Sequence, residues 1–64
     1  MKANFRLRAA RALKGWTQLQ LGEKVGTKEI EISRLETGRA RATEDLKRRI
    51  AEVLDKPTFE LFDA

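Results

Sequence analysis

Cysteine and histidine are both absent from the 64 residues of this chain. Without them there is no disulfide to staple a small fold, none of the usual zinc ligands, and little side-chain chemistry able to act as a base near neutral pH. Serine occurs once, at Ser33, with nothing placed to act as its matched base. With neither a nucleophile–base pair nor a metal-ligand cluster, no enzymatic activity, metal or cofactor is expected. No apolar run approaches the length of a membrane span, and the first residues lack the apolar stretch of a signal peptide. A cytoplasmic protein with no membrane partner is therefore expected. A chain this short makes one domain, residues 1–64, whose stability must come from efficient packing around one small core.

What the sequence does have is charge, unevenly placed. The 14 basic and 10 acidic residues leave a net charge of +4. Residues 1–16 hold Lys2, Arg6, Arg8, Arg11 and Lys14 with no acid, whereas residues 50–64 hold Glu52, Asp55, Glu60 and Asp63 against Lys56 alone. Residues 39–49 are again basic, with Arg39, Arg41, Lys47, Arg48 and Arg49 against Glu44 and Asp45. One part of the chain suits a polyanion and the other does not. Ordinary solvated charge is the alternative, with Glu44–Arg48 and Asp45–Arg49 as surface pairs four residues apart.

Periodicity predicts an all-α fold of five helical segments with no strand pattern. The first spans about Asn4–Lys14, turns Leu7, Ala10 and Leu13 inward, and stops at Gly15. Thr17 and Gln20 make a Thr-x-x-Gln capping box for the second helix, with Trp16 and Leu21 placed as a hydrophobic staple across its start. That helix ends near Val25, where Gly26 suits a left-handed position. The third begins at Thr27 or Lys28, with Thr27 the better cap chemically, and closes before Gly38. The fourth starts at Thr43 and buries Leu46, Ile50, Val53 and Leu54. Pro57 then separates a short final turn containing Phe59, Leu61 and Phe62.

The second and third helices, residues 17–37, are joined by so few residues that they must cross steeply, as in a helix-turn-helix unit. A close crossing needs a small residue, and Gly22 supplies one opposite an inward Ile32. With Leu21, Val25, Ile32 and Leu35 forming the shared seam, Ile30, Ser33 and Arg34 point outward, and Glu29 and Glu31 lie on the flanks. An outward isoleucine suits a thymine methyl in a major groove, and an arginine beside it suits the O6 and N7 of guanine. Packing of Ile30 under the fourth helix, or at a subunit contact, is the alternative. Arg11 falls near the inward stripe of the first helix, where a half-buried guanidinium needs a carboxylate, and Glu36 is the candidate. Simple exposure of both is the other possibility.

From Phe5 to Phe62 the chain resembles the Cro/Xre-type helix-turn-helix family, the lambda-repressor-like DNA-binding domains. The residues that carry the resemblance are Leu7-Arg8 and Arg11, Gly15-Trp16-Thr17-Gln18, Leu21 through Gly26, and Ile32-Ser33-Arg34-Leu35-Glu36 with Gly38; Glu60-Leu61-Phe62 matches the family's closing turn. The resemblance implies a five-helix lambda-repressor-like domain with a central helix-turn-helix. It places Lys28, Glu29, Ile30 and Arg34 at base edges and gives phosphate contacts to Gln18, Ser33, Arg39, Arg41 and Arg11. Arg11 and Glu36 match the family's structural ion pair, and Phe59 or Phe62 would help form a two-fold dimer. The chain departs from the pattern at Lys28, where Ser or Thr often caps the helix, and at Glu29 and Glu31, which put negative charge on the reading helix. The loop Arg39-Ala40-Arg41-Ala42 lacks the usual proline, Asp55 stands in place of a glycine, and Lys56 and Thr58 in place of apolar residues.

The function so implied is a sequence-specific, DNA-binding transcriptional regulator, a homodimer reading an inverted repeat in double-stranded DNA. The alternative is an antitoxin-type interaction module whose toxin, or other regulator, binds the fourth and fifth helices. The acidic end and Phe59 and Phe62 are the features that suit such a protein partner.

Overall fold

The helix boundaries follow from side chains that satisfy the amides and carbonyls left over at helix ends. In the computed structural model, which describes residues 2–62, the helices are α1 (Phe5–Leu13), α2 (Gln18–Val25), α3 (Glu29–Thr37), α4 (Glu44–Leu54) and α5 (Thr58–Leu61). No strand occurs among the described residues. Asp63, counted above in the acidic end, lies outside them.

The Thr17 hydroxyl accepts from the Gln20 amide at 3.0 Å, and Gln20 Oε1 accepts from the Thr17 amide at 2.8 Å, completing the expected capping box. Thr43 caps α4 through the Leu46 amide at 3.1 Å. Asn4 does more than cap α1. Its Oδ1 accepts from the Leu7 amide, its Nδ2 donates to the Leu61 carbonyl at 2.8 Å, and its own amide donates to the Glu36 carbonyl at 2.8 Å. One residue thereby ties α1 to both α3 and α5.

Two of the sequence expectations are corrected at helix ends. Leu13 is 81% exposed rather than inward. Six residues beyond Leu7 the helix has turned about 600°, which leaves Leu13 about 120° off the buried stripe, and Arg11 takes the inward place. At α3 the cap position is Lys28, in extended backbone and without a side-chain cap bond, not Thr27. The Thr27 amide instead closes the end of α2 by donating to the Gly22 carbonyl at 2.8 Å, so Thr27 belongs to the turn.

The core joins all five helices: Leu7, Leu21, Ile32, Ile50, Leu54 and Leu61 are at most 2% exposed. Leu46 and Val53 sit half-buried at its margin, and Ala51 takes an inner place. Trp16 packs half-buried against the core that contains Leu21, and the Lys24 ammonium lies 4.5 Å from the centre of its ring. Gly22 permits the close crossing, but the reason differs from the expected one. A Cβ there would meet the Thr27 carbonyl oxygen at 2.9 Å and the Lys28 carbonyl carbon at 3.2 Å, so it is the turn's backbone, not Ile32, that requires glycine. Gly26, at φ 78°, supplies the left-handed end of α2.

Where α4 ends, Asp55 holds φ 59°, ψ 43° and is the one described non-glycine residue with positive φ. Aspartate tolerates this region better than most residues, but its Cβ still crowds the following carbonyl. Asp55→Gly removes that crowding and is expected to raise stability by about 0.5–1 kcal/mol after glycine's greater unfolded-state freedom is deducted. A thermal melt should show a rise of a few degrees, and an unchanged or lower midpoint would show that the aspartate carries no strain.

Candidate nucleic-acid interface

Glu36 is the one buried charged residue among those described, at 5% exposure near the end of α3. Its carboxylate is met from two helices. Arg11 of α1 donates through Nε to Oε2 at 2.6 Å and through Nη2 to Oε1 at 3.1 Å. Gln18, in the first turn of α2, donates its Nε2 to Oε1 at 3.0 Å. The third side of the guanidinium, Nη1, donates to the Trp16 carbonyl at 2.7 Å. The pair is thus bidentate and fully hydrogen-bonded, which is what a buried ion pair needs to offset desolvation. No buried side-chain polar atom among the described residues lacks a partner.

The Glu36 bond raises the Arg11 pKa above its ordinary value, against the smaller opposing effect of burial. Because the folded-state value is raised, this stabilisation is fully present below the ordinary arginine pKa and is lost only as pH climbs past the raised one. Arg11 therefore stays charged, and the pair intact on its side, throughout the neutral range.

This network fixes where α3 sits against α1 and α2, and so which face it leaves open. Lys28 and Glu29 are exposed, Ile30 is 51% exposed, and the Arg34 side chain is 55% exposed. Ser33 lies half-buried between them. Glu31 stands one turn before Arg34, with Oε1 3.9 Å from its Nη1. Ile30 is therefore not packed under α4. Beyond Gly38 the loop alternates in burial: Ala40 and Ala42 turn half-buried against the core, while Arg39 and Arg41 are exposed. Neither arginine has an ion pair or side-chain hydrogen bond among the described residues. With Lys2 and Lys47 they line an open cleft of about 1220 Å³ between the first residues of the chain and the start of α4.

The structure thus brings Arg11, Gln18 and Glu36 into one cluster and leaves Lys28, Glu29, Ile30, Arg34, Arg39 and Arg41 facing solvent. Phe62 is half-buried with the Lys47 ammonium 5.9 Å from its ring centre, whereas Phe59 is 70% exposed. Of the expected surface pairs, Asp45–Arg49 forms at 2.6 Å, but Glu44 meets Lys47 at 3.8 Å rather than Arg48. Arg48 is 3.8 Å from Asp45.

Sequence reasoning missed two contributors to this site. The Trp16 carbonyl gives no side-chain signal. Arg49 donates Nη1 to the Val25 carbonyl at 3.3 Å, placing a cation at the negative end of α2 beside the turn into α3. That tie crosses 24 positions in the chain, and no local pattern announces it.

The profile of the helix-turn-helix family matches residues 7–61. The chain belongs to the Cro/C1-type helix-turn-helix family. Its solved structural neighbours include the restriction-modification controller protein C.AhdI from Aeromonas hydrophila, which is 29% identical with a TM-score of 0.85. That match covers 92% of this chain and 86% of the other. No curated protein matched the sequence. The helix-turn-helix chain is accordingly a DNA-binding transcriptional regulator of five helices, in which α2 and α3 are the unit that gives the family its name. No helix among its described residues is long and apolar enough to cross a membrane.

Removing one partner of the buried pair leaves the other charge uncompensated. Arg11→Met is expected to cost about 3–5 kcal/mol, a large share of the stability of a domain this small. Replacing both partners, as Arg11→Met with Glu36→Met, should cost clearly less than the sum of the two single changes. Urea unfolding of the three variants measures this, and additive losses would show that the two side chains act independently.

Proposed function

We propose that this regulator binds as a symmetric dimer to an inverted-repeat operator, each protomer laying α3 in a major groove. Half-sites would then be about 34 Å apart, one turn of the duplex. The observation that carries this reading is the outward face of α3. Lys28, Glu29, Ile30 and Arg34 are left open to solvent on a helix whose other side is fixed by Ile32, Leu35 and Glu36. Arg34 has the donors for guanine O6 and N7, Glu29 can accept from cytosine N4, and Lys28 stands at the positive end of the helix.

Arg39 and Arg41 supply backbone contacts beside that face, with Ser33 and Gln18 nearer the phosphates. Gln18 Nε2 keeps a second hydrogen for a phosphate oxygen after its bond to Glu36. Arg11 is only 14% exposed, so it acts first through Glu36 and touches a phosphate at most with its remaining donors. Phe59, exposed on α5, and Phe62 are the proposed dimer contacts. The likeness to a restriction-modification controller protein supports a controller role exercised through operator occupancy.

Base contacts and phosphate contacts separate under mutation. Arg34→Ala should flatten preference at one operator position, at a cost of about 1–3 kcal/mol on the specific site and little on random duplex. Arg39→Ala should weaken all duplexes alike and lower the slope of log K against log salt by about 1. Titrations of both variants against a selected operator and a random duplex at several salt concentrations measure the difference. Equal losses on both duplexes for both variants would remove Arg34 from base reading.

A further inference from the structure

We infer that Ile30 and Arg34 together form a site for a C5-methylated pyrimidine stacked beside a guanine, so that the protein accepts 5-methylcytosine where it accepts thymine. The inference rests on α3 being the base-reading helix. The two residues stand four apart on α3, which places them on one face with Cβ atoms about 5–6 Å apart. Ile30 is 51% exposed and belongs neither to the buried core nor to the half-buried apolar residues packed around it. Apolar surface among Lys28, Glu29 and Arg34 is unfavourable in water and gains only against an apolar group.

The major-groove edges of the bases offer one such group, the methyl at pyrimidine C5. Thymine carries it by nature, and methylation places the same group on cytosine. Beside it, the Arg34 guanidinium stands 3.9 Å from the Glu31 carboxylate. Successive bases on one strand are about 3.4 Å apart, within the span of two side chains one helical turn apart. With Arg34 on guanine, Ile30 therefore meets the neighbouring base. Its contact is with the methyl and is indifferent to oxygen or nitrogen at C4. Thymine and 5-methylcytosine are alike to Ile30, and cytosine and uracil lack what it touches.

The test is selection from three randomised duplex pools: one with thymine and cytosine, one with uracil and cytosine, and one with uracil and 5-methylcytosine. The expected result is a methylated pyrimidine beside a guanine at one operator position, thymine in the first pool and 5-methylcytosine in the third. In the second pool, where no base carries a methyl, preference at that position falls about fourfold, the loss of one buried methyl contact, while the guanine is retained. Ile30→Ala, at an exposed position, should give the second-pool pattern in all three. The same pyrimidine preference in every pool, or an unchanged pattern in Ile30→Ala, overturns the inference and leaves base reading by α3 standing. No enriched sequence in any pool overturns base reading itself, and this inference with it.

Discussion

The position of α3, the proposed reading helix, depends on one buried carboxylate. Glu36 is on α3, its partners Arg11 and Gln18 are on α1 and α2, and its own backbone carbonyl accepts from Asn4. A buried charge tolerates only geometries in which its hydrogen bonds are made, because each one lost leaves a desolvated oxygen. Apolar packing of Ile32 and Leu35 holds α3 against the core but is non-directional. The carboxylate makes directional hydrogen bonds. It sets which residues of α3 are turned out, and so which side chains a duplex would meet.

Around that constraint the domain divides into a frame and a presented face. The frame is a single core shared by all five helices, tied at the chain's start by Asn4 and at the turn by Arg49. The face has no such ties. Ile30 and Arg34 are half-exposed, Glu31 stands 3.9 Å from Arg34, and Arg39 and Arg41 have no ion pair among the described residues, on a loop whose alanines anchor it. Exposed cations without internal partners cost little and remain available to phosphates, while the buried charge of Glu36 is matched. Glu29 and Glu31 make the face less uniformly positive than a purely electrostatic binder would need.

How legible each feature was depended on how far its cause lay along the chain. The Thr17–Gln20 box and the left-handed Gly26 are fixed by neighbours within a few residues, and both were evident from sequence. The Arg11–Glu36 pair spans 25 positions, yet a cation on a buried stripe demands a partner, and that demand exposed it. Gln18 as a third member raised no such demand, because a glutamine on a helix start is satisfied by water equally well. Leu13 misleads because its apolar identity hides a turn of about 120° away from the buried stripe. Thr27 misleads because its side chain suits a cap while its amide is required by the end of α2. Asp55 stands in place of a glycine, and the reason glycine suits that place is a left-handed backbone that the sequence does not display.

DNA is proposed to meet the outward face of α3 and the loop after it. Amide chemical-shift mapping of the isotope-labelled protein against a selected operator duplex tests this most directly. The largest shifts are expected at residues 28–34 and 39–41, with smaller ones at Gln18, and α1 outside Arg11 should stay nearly unchanged. Shifts concentrated on α4 and α5, with residues 28–34 unmoved, would contradict it.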